Sequence, residues 1–172
     1  MRNAFRDHLT LRIKKNKNLF LLVGDIGFGV FEKFEKYNKY NYLNIGICEQ
    51  NMIGVSSGLS MIGFVPIVYT IIPFLTMRPF EQIRVDLAMH KRKVLLVGVG
   101  GGLSYGNLGP THHSIEDIAI ISSLPNFRVF VPSDPSDSKK SFDQALKYNG
   151  PSYIRLGKNG EPDLKKNVVE KI

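Results

Sequence analysis

Residues 44–54 read Asn-Ile-Gly-Ile-Cys-Glu-Gln-Asn-Met-Ile-Gly. A short apolar stretch at 42–45 runs into Gly46. Glu49 then opens a segment carrying the small residues Gly54, Ser56, Ser57, Gly58 and Ser60. The pattern predicts a strand-to-helix junction with one carboxylate at the helix start. Small residues on that helix let a neighbouring backbone or a cofactor approach closely. A carboxylate beside such a surface is a candidate for proton chemistry. Acidic residues are also common in first helical turns, where they complement the helix dipole, and the run on its own is read more simply that way.

Working outward, short apolar stretches recur at 19–23, 42–45, 65–69, 94–99, 128–131 and 152–156. Helical patterns alternate with them at 3–15, 31–37, 49–61, 74–90, 115–123 and 136–148. Residues 19–23 and 94–99 are continuous apolar runs, as expected for strands covered on both faces. The alternation predicts an α/β fold, a parallel six-stranded sheet with helices on both faces. Ligands of such sheets bind at the carboxyl ends of the strands, so the loops after each strand are where function is sought.

A chain of 172 residues, 43% of them hydrophobic, reads as one domain with a real core. Domain residues are expected over 1–160, with a polar tail or linker over 161–172. The formal charge is +8. The excess basic residues fall in local runs at 12–17, 33–39, 91–93 and 165–166, with no recognition motif beside them, so they are read as solvated faces and not as a nucleic-acid site. The one cysteine, Cys48, excludes an internal disulfide and a cysteine-based zinc site and is read as a packing residue. No apolar run reaches membrane-spanning length and no signal core opens the chain, so a cytoplasmic location is expected.

Three further runs invite chemistry. Gly98-Val-Gly-Gly-Gly-Leu-Ser-Tyr-Gly follows a strand, but Leu103 stands where a dinucleotide fingerprint needs its third glycine, and no P-loop occurs. Gly109-Pro-Thr-His-His-Ser-Ile-Glu-Asp holds adjacent His112 and His113, which cannot ligate zinc from one helical face. An imidazole there can donate to a substrate oxygen or shuttle a proton. Thr111 or Ser114 is expected to cap the next helix, with Glu116 and Asp117 in its first turn. Phe74-Leu-Thr-Met-Arg-Pro-Phe-Glu-Gln-Ile-Arg brings aromatics to a helix start, for stacking or for core packing. Arg155 sits at a strand end before Gly157, as a phosphate contact or a surface charge.

Taken in order, these pieces resemble the pyrimidine-binding domain of the transketolase family over nearly the whole chain, from Arg2 to about Pro162. The strongest piece is residues 44–63; residues 70–84 resemble the family's pyrimidine-contacting loop, and 109–117 its Gly-Pro-Thr-His segment. The resemblance implies thiamine diphosphate with Mg²⁺ as cofactor and ketol transfer between sugars as the reaction. It implies that Glu49 hydrogen-bonds the aminopyrimidine ring nitrogen, that Phe74 stacks on that ring, and that His112 faces the substrate. Arg155 and Arg2 match arginines that hold a sugar phosphate, and Asp25 an acidic residue near the cofactor. Ile71 stands where the family often places a further aromatic against the cofactor, and Asn107 and Leu108 where many members have an acidic pair. The metal-binding Gly-Asp-Gly motif is missing, since residues 24–26 read Gly-Asp-Ile. The resemblance therefore implies at best half an active site here, with the metal held by a diphosphate-binding partner in a homo- or hetero-oligomer. Two alternatives stand beside this: a non-catalytic interaction module that kept the fold, and a 1-deoxyxylulose-5-phosphate synthase or oxo-acid dehydrogenase type of subunit.

Overall fold

The computed structural model describes residues 1–164; of the expected tail, residues 165–172 lie outside the described residues. Six strands form one sheet: β1 (Leu19–Val23), β2 (Tyr42–Asn44), β3 (Val65–Ile71), β4 (Leu95–Val99), β5 (Arg128–Phe130) and β6 (Ser152–Leu156). Their order is β2-β1-β3-β4-β6-β5, and every pairing is parallel. Side chains alternate across the sheet. Leu19, Leu21 and Val23 join one apolar cluster, beneath helices α1 (Arg2–Lys15), α2 (Glu32–Tyr37) and α7 (Pro135–Lys147). Leu22, Val68, Leu96 and Tyr153 join the other, beneath α3 (Glu49–Met61), α4 (Ile72–Thr76) and α6 (Asp117–Ser122). Burial on both faces accounts for the unbroken apolar runs at 19–23 and 94–99. Helices α1 and α7 are also joined by charge: Asp143 meets His8 at 2.9 Å and Arg12 at 2.5 Å.

Three sequence expectations need correction. The single helix expected over 74–90 is broken. It begins at Ile72 as α4, restarts as α5 (Phe80–Gln82) with Pro79 as its N-cap, and continues as a π-helical turn over Ile83–Met89. Proline has no amide hydrogen to donate and clashes with the preceding turn, so the break falls where Pro79 stands. Helix α6 starts two residues later than expected, and neither Thr111 nor Ser114 caps it; Glu116 holds that position without a side-chain capping bond. Ser114 is instead paired with Gly102 in an isolated β-bridge, which holds it away from the helix. Cys48 is exposed at the N-cap of α3 and is not a packing residue.

Strand β1 has β2 on one side and β3 on the other, so the chain changes direction across the sheet at β1. The loops that leave β1, β2 and β3 therefore open at a topological switch point, the favoured ligand position in this architecture. Among the described residues, no helix is long and apolar enough to cross a membrane.

Candidate active site

Glu49 is the first residue of α3 and is only 4% exposed. A buried carboxylate requires a partner. Arg78 supplies it, with Nη1 donating to both carboxylate oxygens at 3.1 and 3.2 Å. The Arg78 guanidinium also lies over the Phe74 ring, 3.8 Å from its centroid. The two residues are four apart, with Phe74 in α4 and Arg78 in the turn between α4 and α5. Residues 47–51 and Arg78 line a cleft of about 540 Å³ at this point.

The aromatic contacts continue beyond Phe74. Its ring meets His112 edge-on at 5.0 Å, and His112 meets Tyr105 at 5.4 Å. Lys158 Nζ stands 4.2 Å from the Tyr105 ring centre. The loop after β4 shapes this side. Gly100 has φ +91, and a Cβ there would collide with the Tyr105 ring, so only glycine admits that packing. His113 Nε2 lies 2.8 Å from the Gly106 carbonyl, and Thr111 Oγ1 lies 2.9 Å from His112 Nδ1. With Nδ1 engaged, Nε2 is the ring nitrogen of His112 open to another group. Burial pushes the Tyr105 hydroxyl up, and the positive charge of Arg2 pulls it partly back. Tyr69 behaves alike, with burial dominant and Arg2 opposing.

Of the residues singled out by sequence, Glu49, Phe74 and His112 thus meet in one connected array. Ile71 ends β3 and is almost wholly buried in the first apolar cluster, against which Phe74 and Tyr105 also pack. Asp25 is exposed after β1 with φ 51, and Asn44 ties it to the β2 loop by accepting from its amide at 3.1 Å. Arg2 is half-buried at the start of α1, and its Nε is buried with no hydrogen-bond partner. Arg155 Nε donates to Asp117 at 2.9 Å and its Nη2 to the Ser114 carbonyl at 3.0 Å. Asp117, expected in an open first turn, is fully buried, and it also accepts from the Tyr153 hydroxyl at 2.6 Å. Burial first, then the charge of Asp117, pushes the Tyr153 hydroxyl well up, so it remains a donor.

Arg78, Tyr105 and Lys158 were not singled out by sequence, and Asp117 only as a helix first-turn residue. Only Arg78 carried a usable signal, the i to i+4 spacing from Phe74. Together Glu49 and Phe74 suit a flat heterocycle with a basic ring nitrogen, one group offering a buried carboxylate and the other an aromatic face. The buried, unpartnered Thr70 Oγ1 at the end of β3 adds a polar atom at the same edge of the sheet. No group of three or more His, Cys, Asp or Glu side chains is placed to hold a metal ion among the described residues. A larger cleft of about 690 Å³ lies between α1 and the 29–38 segment, but it contains none of the residues considered above.

A family model described as "Transketolase, pyrimidine binding domain" matches residues 1–161. The chain is 38% identical over 128 residues to an apulose-4-phosphate transketolase subunit of Actinobacillus succinogenes, covering 74% of this chain and 41% of that one. It is 33% identical over 170 residues to the corresponding apulose-4-phosphate transketolase subunit of Phocaeicola vulgatus, covering 96% and 54%. It thus spans about half the length of these relatives. Among solved structures it resembles a "Split gene transketolase, inactive beta4 tetramer" with TM-score 0.83 and 32% identity, covering 94% of this chain and 52% of that one. The transketolase of Leishmania mexicana shares the fold, with TM-score 0.85 at 22% identity, over 95% and 26% of the two chains.

Proposed function

The chain belongs to the transketolase pyrimidine-binding domain family, and from that premise we propose that it supplies the pyrimidine half of a thiamine diphosphate site for two-carbon ketol transfer between sugars. The observation that carries this reading is Glu49, a buried carboxylate in a cleft whose other wall, Arg78, lies over the Phe74 ring. When bound, thiamine diphosphate provides an electron sink for cleaving the carbon–carbon bond beside a ketose carbonyl. Glu49 holds a proton at the aminopyrimidine ring nitrogen, a task for which a shielded carboxylate is suited. Phe74 orients that ring by stacking, and Arg78 balances the Glu49 charge until the ring arrives. His112, through Nε2, exchanges a hydrogen bond or a proton with a substrate oxygen.

The diphosphate and its Mg²⁺ are assigned to a partner subunit. Relatives that are themselves named as transketolase subunits, and the inactive β4 assembly of a split-gene relative, support a site completed by a different chain. Substrates with an anionic terminus are favoured. Two relatives are described as acting on apulose 4-phosphate and on 6-deoxy-6-sulfo-D-fructose, which share a terminal oxyanion. Arg2 and Lys158 line one small cavity, together with Met1 and Glu161, and are the side-chain cations assigned to such a group. Asn107 and Leu108, the latter half exposed, occupy the positions where many transketolases carry an acidic pair that reads a donor hydroxyl, so a donor other than theirs is part of this reading.

The test is reconstitution with a diphosphate-binding subunit, thiamine diphosphate and Mg²⁺, followed by a ketol-transfer assay of wild type and Glu49→Ala. Equal activity in the two overturns the role of Glu49. Absence of cofactor binding by calorimetry in the reconstituted complex overturns the enzyme reading in favour of an interaction module.

A further inference from the structure

The loop that carries His112 leaves β4 at Gly100 and returns at Ser114. Its two ends are stitched together: Gly102 N donates to Ser114 O at 2.8 Å, and Ser114 N to Gly102 O at 3.0 Å. Gly100 N and Gly101 N both donate to Leu156 O, at 2.9 and 3.3 Å. Arg155 and Asp117 lie against this neck. Asp117 is wholly buried and accepts from both Tyr153 and Arg155, while Arg155 Nη2 donates to the same Ser114 carbonyl that closes the neck. The guanidinium packs against Gly101, where a Cβ would collide with Nη1. Four elements converge here: β6 through Tyr153 and Arg155, α6 through Asp117, and both ends of the His112 loop.

We infer that Arg155, Asp117 and Tyr153 form a buried clamp that fixes the His112 loop, so that Arg155 is a positioning residue for His112 and not a ligand of the substrate's anionic terminus. The inference rests on His112 facing the substrate. Its physical basis is geometric. Two acceptors, a carboxylate and a carbonyl, are met by one planar fork, and neither is a solvent-facing group. A lysine ammonium keeps the charge of Arg155 but cannot reproduce the fork. A phosphate ligand acting through charge would tolerate that exchange; a clamp would not. Asp117 holds Tyr153 and Arg155 through Oδ2, so Asp117→Asn weakens the clamp while leaving Arg155 charged; loss of an anion ligand would not follow from that change, whereas loosening of the loop would.

The experiment uses Arg155→Lys, Arg155→Met, Asp117→Asn and the Arg155→Met/Asp117→Asn pair, each in the reconstituted complex. Amide exchange at Gly102 and Ser114 and the ring-proton shifts of His112 are read first, then kcat and KM with phosphorylated and unphosphorylated acceptors. Arg155→Lys and Asp117→Asn are each expected to speed exchange at the neck, to shift the His112 ring signals and to lower kcat by about tenfold to a hundredfold. KM for the phosphorylated acceptor is expected to stay within about threefold of wild type, the pattern of a lost transition-state contact. The double variant should be no worse than the poorer single one, because both changes open the same clamp. The inference is overturned if Arg155→Lys behaves as wild type while Arg155→Met raises KM for the phosphorylated acceptor alone with exchange unchanged. If Asp117→Asn does not fold, Arg155→Lys decides by the same readouts. If wild type itself shows no ketol transfer, the function reading fails, while exchange and ring shifts still decide the clamp.

Discussion

Arg78→Met probes the electrostatics of the site while leaving the carboxylate in place. Arg78 Nη1 lies 3.1 and 3.2 Å from the two oxygens of Glu49. Unit charges at that separation attract by about 1 kcal/mol in water and about 5 kcal/mol at an effective dielectric of 20. Glu49 is 5% exposed at its side chain but Arg78 is 46% exposed, so the pair sits toward the watery limit. Stacking of the guanidinium on Phe74 adds about 0.5–1 kcal/mol. Methionine keeps the length and a polarizable contact with the ring but strands the carboxylate. Arg78→Met is therefore expected to destabilise the chain by about 2 kcal/mol. In a Glu49→Gln background no charge is stranded, and the same change should cost less than about 1 kcal/mol. Urea unfolding midpoints of the four proteins at neutral pH give the coupling, which should shrink on raising salt if it is ionic. Equal losses in both backgrounds would refute the argument that Arg78 is what balances Glu49.

Three further outcomes follow from the geometry. Phe74→Ala removes the face on which the cofactor ring is proposed to stack, and calorimetry of the reconstituted complex should show thiamine diphosphate bound about threefold to tenfold more weakly; unchanged affinity would place the ring elsewhere. Gly100→Ala forces a side chain into the left-handed region and into Tyr105, so it should lower stability by about 1–3 kcal/mol, read as a shift in unfolding midpoint. Burial alone would raise the Asp143 carboxyl, but hydrogen bonds from Arg12 and His8 outweigh it and hold the group below its ordinary value of 3.8. A depressed carboxylate stabilises the fold above its unfolded pKa and loses that contribution as pH falls through the folded one. The thermal midpoint of wild type should accordingly exceed that of Asp143→Asn by a constant amount at neutral pH, and the gap should close below about pH 4. A gap independent of pH would remove Asp143 from the α1–α7 contact.

Much of this was legible in the chain. Strands at 19–23 and 152–156 and the helix opening at Glu49 fall where the apolar pattern put them, because both sheet faces are buried and periodicity there is strong. The expected helix over 74–90 fails because apolar periodicity runs through Pro79, and the π-helical turn keeps Ile83, Leu87 and Ala88 buried while changing the hydrogen-bond pattern. At the site, Glu49, Phe74 and His112 were found through local motifs. The partners that make them act together were not. Arg78 reaches Glu49 across 29 residues, Lys158 needed the return of β6 beside β4, and Asp117 reads as a helix-dipole residue until the fold brings Arg155 and Tyr153 to it. Long-range charge pairing leaves no periodic trace in a single sequence.

The central claim is that Glu49 moves a proton at the aminopyrimidine ring and so activates the cofactor. The rate of deuterium exchange at thiazolium C2 of thiamine diphosphate bound to the reconstituted complex measures this directly. Wild type should exchange at least about a hundredfold faster than Glu49→Gln, with cofactor affinity changed far less. Equal exchange rates in two fully loaded complexes would contradict the account.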